Sequence, residues 1–185
     1  MRDRFSEALR NHGADYVEIR YEERKTTRIS YRGRRLEDAS LSADSGGCVR
    51  ALVRGGWGFA SFNDIDMLKE SVSRAVDDAR HGSGDMLHLP QREPVDASVA
   101  SMPALSVADV SLEDKKRLLD GYNDIIMSTP RVQSSHVMYG DSDRTVRFAA
   151  SDGAYIEQKV PDLSLRLTAV ARGSDDVQQA GVSLG

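Results

Sequence analysis

The residues best suited to chemistry in this sequence are four histidines and one cysteine, and their spacing builds no known site. Cys48 cannot form a cysteine zinc site alone, and its strand-like surroundings predict a small core residue. There is no phosphate loop of the form GxxxxGK[ST]. The four histidines are His12, His81, His88 and His136. None lies near another in the sequence, and none begins an HExxH zinc helix. We therefore predict no catalytic residue and no metal ligand in this chain.

Composition excludes several classes of protein. The chain has 185 residues, a formal charge of -4 and an isoelectric point near 5.6, which argue against a nucleic-acid partner. A single cysteine fits a reducing compartment, and the N-terminus lacks the pattern of a signal peptide. Since no apolar run is long enough to span a bilayer, we expect no membrane partner and a cytoplasmic location.

Residues 46–62 organise the first half of the chain. Two apolar runs flank Gly55-Gly56, a pair typical of a two-residue hairpin turn. The predicted cross-strand pairs are Arg54–Trp57, Val53–Gly58, Leu52–Phe59, Ala51–Ala60 and Val49–Phe62. Because side chains alternate along a strand, one face of the hairpin carries small residues that leave room for a helix. This small-residue face consists of Val49, Ala51, Val53, Gly58, Ala60 and Phe62.

The rest of the first half predicts a helix, a meander of strands and a second helix. Residues 2–12 have helical spacing, and residues 15–22, 26–32 and 35–41 alternate as strands before the hairpin. With the hairpin this makes about five consecutive strands, which leaves no room for crossover helices and favours an antiparallel sheet. Residues 63–81 follow as a helix that is capped by Asn63. The helix should pack on the small-residue face of the hairpin through an apolar stripe of Ile65, Leu68, Val72, Ala75, Val76 and Ala79.

The second half predicts another helix followed by strands. Residues 83–110 form a connector, which contains Pro90, Pro94 and Pro103. A helix runs from Ser111 to Pro130, with an apolar stripe that includes Leu118 and Ile125. Strands 132–139 and 144–150 are separated by a predicted turn at 140–143, and a long alternating strand ends near residue 172. We predict an α+β fold of two helix-plus-strands units, 1–82 and 111–185, and expect the second to continue beyond Gly185.

Two surface features have competing interpretations. Seven basic residues between Arg20 and Arg35 could form an anion or partner patch, but interleaved acids favour a salt-bridged, solvated face. Trp57 and Phe59 lie on the hairpin face opposite the predicted helix, where they either form a second core layer or line a binding surface. The candidate peptide- or partner-contact residues are Arg54, Gly55, Gly56, Trp57 and Phe59.

Three stretches carry a family resemblance. ADYVEIRYEERKTTRISYRGRRLED and GGCVRALVRGGWGFASFND resemble the N-terminal region of the TldD/PmbA family, once called modulator of DNA gyrase. SDGAYIEQKVPDLSLRLTAVARGSDDVQQAG resembles the continuation of that region. The resemblance covers nearly the whole chain and favours the TldD side of the family through GGCVRALVRGGWGFASF.

The resemblance implies a subunit of a cytoplasmic zinc metalloprotease that pairs with a second family member or forms a homo-oligomer. The family's HExxxH helix is absent from these residues, so zinc is implied for the full-length member only. The implied role is to shape a chamber, admit an unfolded peptide and contact the partner subunit, with strand addition at the hairpin edge as one mode. The alternatives are a non-enzymatic binding or assembly module and a regulator linked to DNA gyrase.

Overall fold

A computed structural model describes residues 1–82, 87, 89–90, 93–100 and 106–185. His88 and Pro103 therefore lie outside the described residues. Within those ranges no helix is long and apolar enough to cross a membrane. In chain order the elements are α1 (Arg2–Ala8), β1 (Tyr16–Arg32), β2 (Arg35–Val53), β3 (Gly56–Phe62), α2 (Leu68–His81), β4 (Asp96–Ala100), α3 (Leu112–Ser128), β5 (Val132–Ala150), β6 (Tyr155–Arg172) and β7 (Val177–Leu184).

The strands are ordered β3-β2-β1-β5-β6-β4, and β7 also pairs with β6. Two pairs, β2 with β3 and β6 with β7, are antiparallel, and β4 runs parallel to β6. Bonds from Gly33 to Ser135 and from Ser151 to Val17 show that β1 and β5 are antiparallel as well. The predicted α+β class with a largely antiparallel sheet is confirmed.

The chain forms two compact units, each assembled from separated segments. The first unit contains Met1–Glu23, Asp44–Ser101 and Arg144–Val160. The second contains Arg24–Ala43, Met102–Asp143 and Pro161–Gly185. Each unit draws on segments from both sides of the predicted connector, so the division into 1–82, 83–110 and 111–185 stays a prediction about order along the sequence.

The first unit is built around α2 lying on the hairpin, as the alternation predicts. Its buried cluster joins Phe5 of α1 and the inward residues of β1 and β2 to the stripe of α2. Glycines let the helix approach closely, since a Cβ at Gly58 would lie 2.0 Å from the carbonyl oxygen of Ala75. The helix itself starts later than predicted, because a short 3₁₀ turn capped by Asp64 precedes it.

The predicted register of the hairpin is wrong by two residues. Val53 pairs with Gly56 and Leu52 with Trp57, so the turn is Arg54-Gly55, with φ of 48° and 84°. Gly56 cannot serve as the turn because it lies under α2, where a Cβ would be 2.3 Å from the carbonyl oxygen of Ala79. A shift of two residues preserves the alternation, so the predicted faces of the hairpin are unaffected.

The predicted strands are shorter than those observed. Instead of about five strands before α2 there are three, because the charged run 22–25 contains no turn residue and β1 passes straight through it. Gly47 also stays within β2, where a Cβ would meet the ring of Phe62 at 2.5 Å. Residues 140–143 form no turn either. They lie within β5, where Asp141 is buried and its charge is paired with Lys115 of α3. The turn after β5 lies at residues 151–153, where Gly153 has φ of 97° and its N–H donates to the carbonyl of Ala150.

The second unit has a small apolar cluster in which α3 covers β1 and β5. Ile29, Tyr31, Leu119 and Val137 are its buried members. The predicted stripe of α3 is partly wrong, since Leu118 and Ile125 are 54% and 67% exposed. Leu119 of the predicted stripe is buried, and the other buried positions of α3 are Lys115 and Asn123. The three are spaced four residues apart, which is helical, although two of them are polar.

Candidate functional site

The candidate site is the tip and outer face of the β2–β3 hairpin in the first unit. The turn holds a non-glycine residue, Arg54, at positive φ, and its N–H donates to Asp15 Oδ2 at 2.6 Å. Such a conformation is unfavourable for an L-residue, and this charge-assisted bond offsets the cost. Asp15 precedes β1 and its own N–H donates to the carbonyl of Leu52, so two hydrogen bonds tie the turn to the segment before β1.

Trp57 and Phe59 are exposed on the hairpin face opposite α2. Their side chains are 39% and 58% exposed, which is unusual for residues of this size. Trp57 is nevertheless held in one orientation. The Arg50 guanidinium lies 4.6 Å from its ring centre, and the Tyr16 ring meets it edge-on at 6.4 Å. Of the two open interpretations, the structure favours a surface aromatic pair over a second core layer.

Charged neighbours fix this aromatic surface from below. Glu18 accepts from Arg50 at 3.1 Å and from the Tyr16 hydroxyl at 3.0 Å. Burial and the nearby Glu18 carboxylate raise the pKa of Tyr16, which keeps this phenol protonated. Tyr16, Glu18 and Arg50 are therefore a rigid support for Trp57, and the sequence pattern contains no signal that would have joined them.

The outer edge of β3 is partly occupied by side chains of α2. The N–H of Phe59 donates to Asp78 Oδ2 at 3.4 Å, and Arg74 donates to the carbonyl of Ser61 at 3.2 Å. Side chains that engage edge groups reduce the capacity of a strand to pair with another chain. This arrangement disfavours strand addition at residues 59–61 and leaves the aromatic side chains as the accessible feature.

The five candidate contact residues fall into two groups. Arg54, Trp57 and Phe59 are exposed, and Gly55 is half-buried in the turn. Gly56 is buried beneath α2, so its structural role is to admit the helix.

The residues that the structure describes do not fit a metal site. No group of three or more His, Cys, Asp and Glu side chains is placed to hold an ion within the described ranges. Burial raises the pKa of the half-buried Cys48 thiol, which makes it a poor ligand and nucleophile. His12 is partly buried, which lowers its pKa, and its Nδ1 accepts from the N–H of Ala14.

A buried polar network in the second unit was missed by the sequence analysis. Lys115 Nζ lies 2.7 Å from Asp141 Oδ2 and 3.1 Å from Thr27 Oγ1, and the two charged side chains are only 7% and 4% exposed. The Tyr139 hydroxyl donates to Asp141 at 2.5 Å. The helical spacing of Lys115, Leu119 and Asn123 was the available signal, but polar residues are normally assigned to the solvent face.

A second buried network secures the β1–β2 turn of this unit. Asn123 Nδ2 donates to the carbonyl of Gly33 at 2.8 Å, and the Ser135 hydroxyl lies 2.5 Å from Asn123 Oδ1. Nearby, Tyr31 donates to Asp120, and burial together with this carboxylate raises the pKa of Tyr31 to about 12. These contacts are internal, so we assign them to the architecture of the unit.

Two family models match the chain. Residues 17–83 match the PmbA/TldA metallopeptidase domain 1, and residues 105–185 match the PmbA/TldA metallopeptidase central domain. A metalloprotease of Synechocystis is 37% identical over 167 residues, which are 89% of this chain and 36% of that protein. A metalloprotease of Methanothermobacter thermautotrophicus is 27% identical over 173 residues, 92% of this chain and 37% of that protein. The chain thus spans little more than a third of the length of these curated relatives.

Solved structures share the fold. A crystal structure of a putative modulator of DNA gyrase from Bacteroides thetaiotaomicron matches 98% of this chain and 43% of its own, with a TM-score of 0.75 at 18% identity. TldE from Thermococcus kodakarensis matches 97% of this chain and 42% of its own, with a TM-score of 0.74 at 17% identity. The predicted resemblance is confirmed: the chain belongs to the PmbA/TldD metallopeptidase family and carries its first and central domains.

Proposed function

We propose that this chain is the part of a TldD-like metalloprotease subunit that binds an unfolded peptide and contacts a second subunit, while the metal site lies outside these residues. The observation that carries the proposal is the pair of exposed aromatic side chains, Trp57 and Phe59, on a rigidly supported hairpin. Exposed aromatic residues that are already fixed in orientation lose little entropy on binding and are typical of contact sites.

The accessible contact residues are Arg54, Trp57 and Phe59, with Gly55 shaping the turn. An extended peptide can place apolar side chains against the two rings while the exposed Arg54 guanidinium attracts its carboxylates. Aromatic contacts of this kind tolerate many sequences, which suits a chamber for unfolded chains. Because Asp78 and Arg74 engage the β3 edge, side-chain contact is a better mode here than strand addition.

The family implies a metal, and the described residues offer no donor set for one. We therefore propose that zinc belongs to another part of the full-length family member, and that this chain hydrolyses nothing alone. The structural similarity to TldE supports a second TldD/PmbA subunit as the partner, with a homo-oligomer as the alternative. The single cysteine supports a cytoplasmic location.

Trp57 provides a direct test, because it is the only tryptophan in the chain. A permanently unfolded polypeptide without tryptophan, titrated into the pure protein, should change the Trp57 emission and reach saturation. Phe59→Ala should weaken this binding, since it removes half of the aromatic surface. The matched control is Leu41→Ala, which shortens another exposed apolar side chain in the part of β2 that does not pair with β3.

Unchanged emission at saturating polypeptide would contradict a peptide contact at Trp57. An equal loss of affinity in Phe59→Ala and Leu41→Ala would locate the contact elsewhere. Saturable binding by folded proteins but not by unfolded ones would instead support the assembly module.

A further inference from the structure

A groove of about 470 Å³ crosses the sheet of the second unit, on the face opposite α3. Six of its lining residues are two apart along the neighbouring strands β1, β5 and β6, so their side chains share one face. Asp38 of β2 and Ser183 and Leu184 of β7 line the groove as well. The intervening residues Ile29, Tyr139 and Leu165 pack in the apolar cluster under α3, so the groove opens on the opposite face of the sheet. The residues that shape the groove are Arg28, Ser30, Met138, Gly140, Ser164 and Arg166.

Gly140 makes the floor of the groove. It lies between the strands that carry Arg28 and Ser164, and the Ser164 hydroxyl donates to its carbonyl at 3.4 Å. Because glycine has no side chain, the row across the sheet is open at this point. A ligand group can therefore approach the sheet backbone here with Arg28 on one side and Arg166 on the other.

The guanidinium groups of Arg28 and Arg166 are exposed and have no hydrogen bond or ion pair with the residues that the structure describes. Two other strand arginines do have partners: Arg32 pairs with Glu37 at 3.0 Å, and Arg147 with Glu157 at 2.6 Å. Asp38 also lines the groove, and its carboxylate accepts from the Ser40 hydroxyl. Two unpaired guanidinium groups beside an apolar wall thus remain available to an anionic ligand.

We propose that this groove binds a carboxylate side chain of an extended acidic peptide. The inference rests on the proposed function for its choice of a peptide as ligand, and it adds a preference for glutamate and aspartate. A guanidinium group holds a carboxylate through two parallel hydrogen bonds, and the Ser30 hydroxyl can donate a further one. Met138 supplies an adaptable apolar wall for the peptide's aliphatic carbons.

An acidic peptide fits this groove better than a nucleic acid does. A phosphate backbone requires many cationic contacts along its path, whereas the groove offers two arginines and is also lined by Asp38. The formal charge of the chain, -4, also repels a polyanion at long range. The two guanidinium groups of the groove can overcome this repulsion locally.

The test compares two fluorescein-labelled peptides that differ only in charge, one alternating Glu with Ser and one alternating Gln with Ser. Fluorescence anisotropy should show that the Glu peptide binds about tenfold tighter than the Gln peptide. Arg28→Gln and Arg166→Gln should each remove about tenfold of the affinity for the Glu peptide and leave the Gln peptide unchanged. Arg35→Gln is the matched control, because Arg35 is also an exposed strand arginine but lies outside the groove.

Arg166→Lys separates charge from geometry, since lysine keeps the charge and loses the paired hydrogen bonds. A partial loss of affinity is expected from it, and thermal denaturation should show all four variants folded. Equal affinity for the two peptides, or an equal loss in Arg35→Gln, would overturn the proposal. Tighter binding of a single-stranded DNA oligonucleotide than of the Glu peptide would overturn it too.

The same titrations distinguish failure of this inference from failure of the proposed function. If unfolded polypeptide still changes Trp57 emission while the Glu and Gln peptides bind alike, only the acidic preference fails. If no peptide of either kind binds and Trp57 does not respond, both proposals fail.

Discussion

In the first unit the buried face of α2 is apolar except for Ser71, whereas in the second unit the buried face of α3 carries Lys115 and Asn123 on either side of Leu119. The first helix lies directly on glycine backbone, and the second is joined to its sheet by a buried ion pair and an amide. Both helices cover one face of a set of β-strands, so the two units differ in what attaches the helix to the strands.

The two helices should therefore respond to different kinds of substitution. Apolar docking is sensitive to volume, because a close-packed interface has no space for added atoms. A buried polar network is sensitive to the loss of one partner, because the remaining group is left desolvated and unpaired. Substitutions of each kind in each unit therefore test whether the two helices are attached in different ways.

The largest expected effect is from Lys115→Met. It leaves the Asp141 carboxylate buried without its cation and should lower the free energy of unfolding by about 3–5 kcal/mol. Urea denaturation followed by circular dichroism measures this loss. The double variant Lys115→Met/Asp141→Leu should recover most of it, since an apolar pair of similar size removes the uncompensated charge. A double variant less stable than the single one would show that the ion pair itself holds α3.

Gly58→Ala should have the next largest effect. The added Cβ would lie 2.0 Å from the carbonyl oxygen of Ala75, so α2 must move, at a cost of about 1–3 kcal/mol or more. Gly121→Ala is the matched control within α3, where a Cβ meets nothing within 4 Å. It should raise the midpoint of thermal unfolding, because alanine is favoured over glycine in a helix by about 1 kcal/mol. Equal responses of the two variants would refute close docking in the first unit.

Ser135→Ala should lower stability by about 1–3 kcal/mol, since it leaves Asn123 Oδ1 buried without its donor. Urea denaturation would detect this change. The neighbouring Ser134→Ala is its control and should change stability by less than about 0.5 kcal/mol, because Ser134 is only half-buried. If both serines gave the same small effect, the buried amide network would not distinguish the second unit from the first.

The smallest effect is a pH dependence at the surface of α3. Hydrogen bonds from Lys116 and Tyr31 lower the pKa of Asp120 below its model-peptide value. A carboxylate with a lowered folded pKa stabilises above its unfolded pKa, and that contribution is lost as pH falls through the folded value. Between about pH 6 and pH 3, Asp120→Asn should therefore lose stability less steeply than the unmodified chain. Identical pH profiles of the denaturation midpoint would contradict this contribution.

Alternation along the sequence was sufficient to predict the hairpin faces and the docking of α2, because these depend on local periodicity. The turn was placed at Gly55-Gly56 instead of Arg54-Gly55 for two reasons that lie outside the hairpin. The carboxylate of Asp15 holds the Arg54 amide, and α2 requires Gly56 within the strand. A pattern that considers only the hairpin residues contains neither constraint.

The sequence did not predict the buried face of α3 or the arginine groove, for a related reason. Lys115 is buried only because Asp141 of β5 neutralises its charge, and this pairing exists only after the strands have assembled. Arg28 was visible within a basic cluster, but Arg166 reaches the same face from a strand far along the chain. Partners that are distant in sequence decide both cases, and periodicity carries no information about them.

The central claim is that these residues bind peptide but leave metal chemistry to another part of the family's proteins. The most direct measurement is hydrolysis of a fluorogenic unfolded polypeptide by the pure chain supplied with Zn²⁺, followed beside the Trp57 emission. The account predicts saturable binding with no cleavage above the rate of Zn²⁺ alone. Cleavage that requires the chain and stops on addition of a chelator would contradict it.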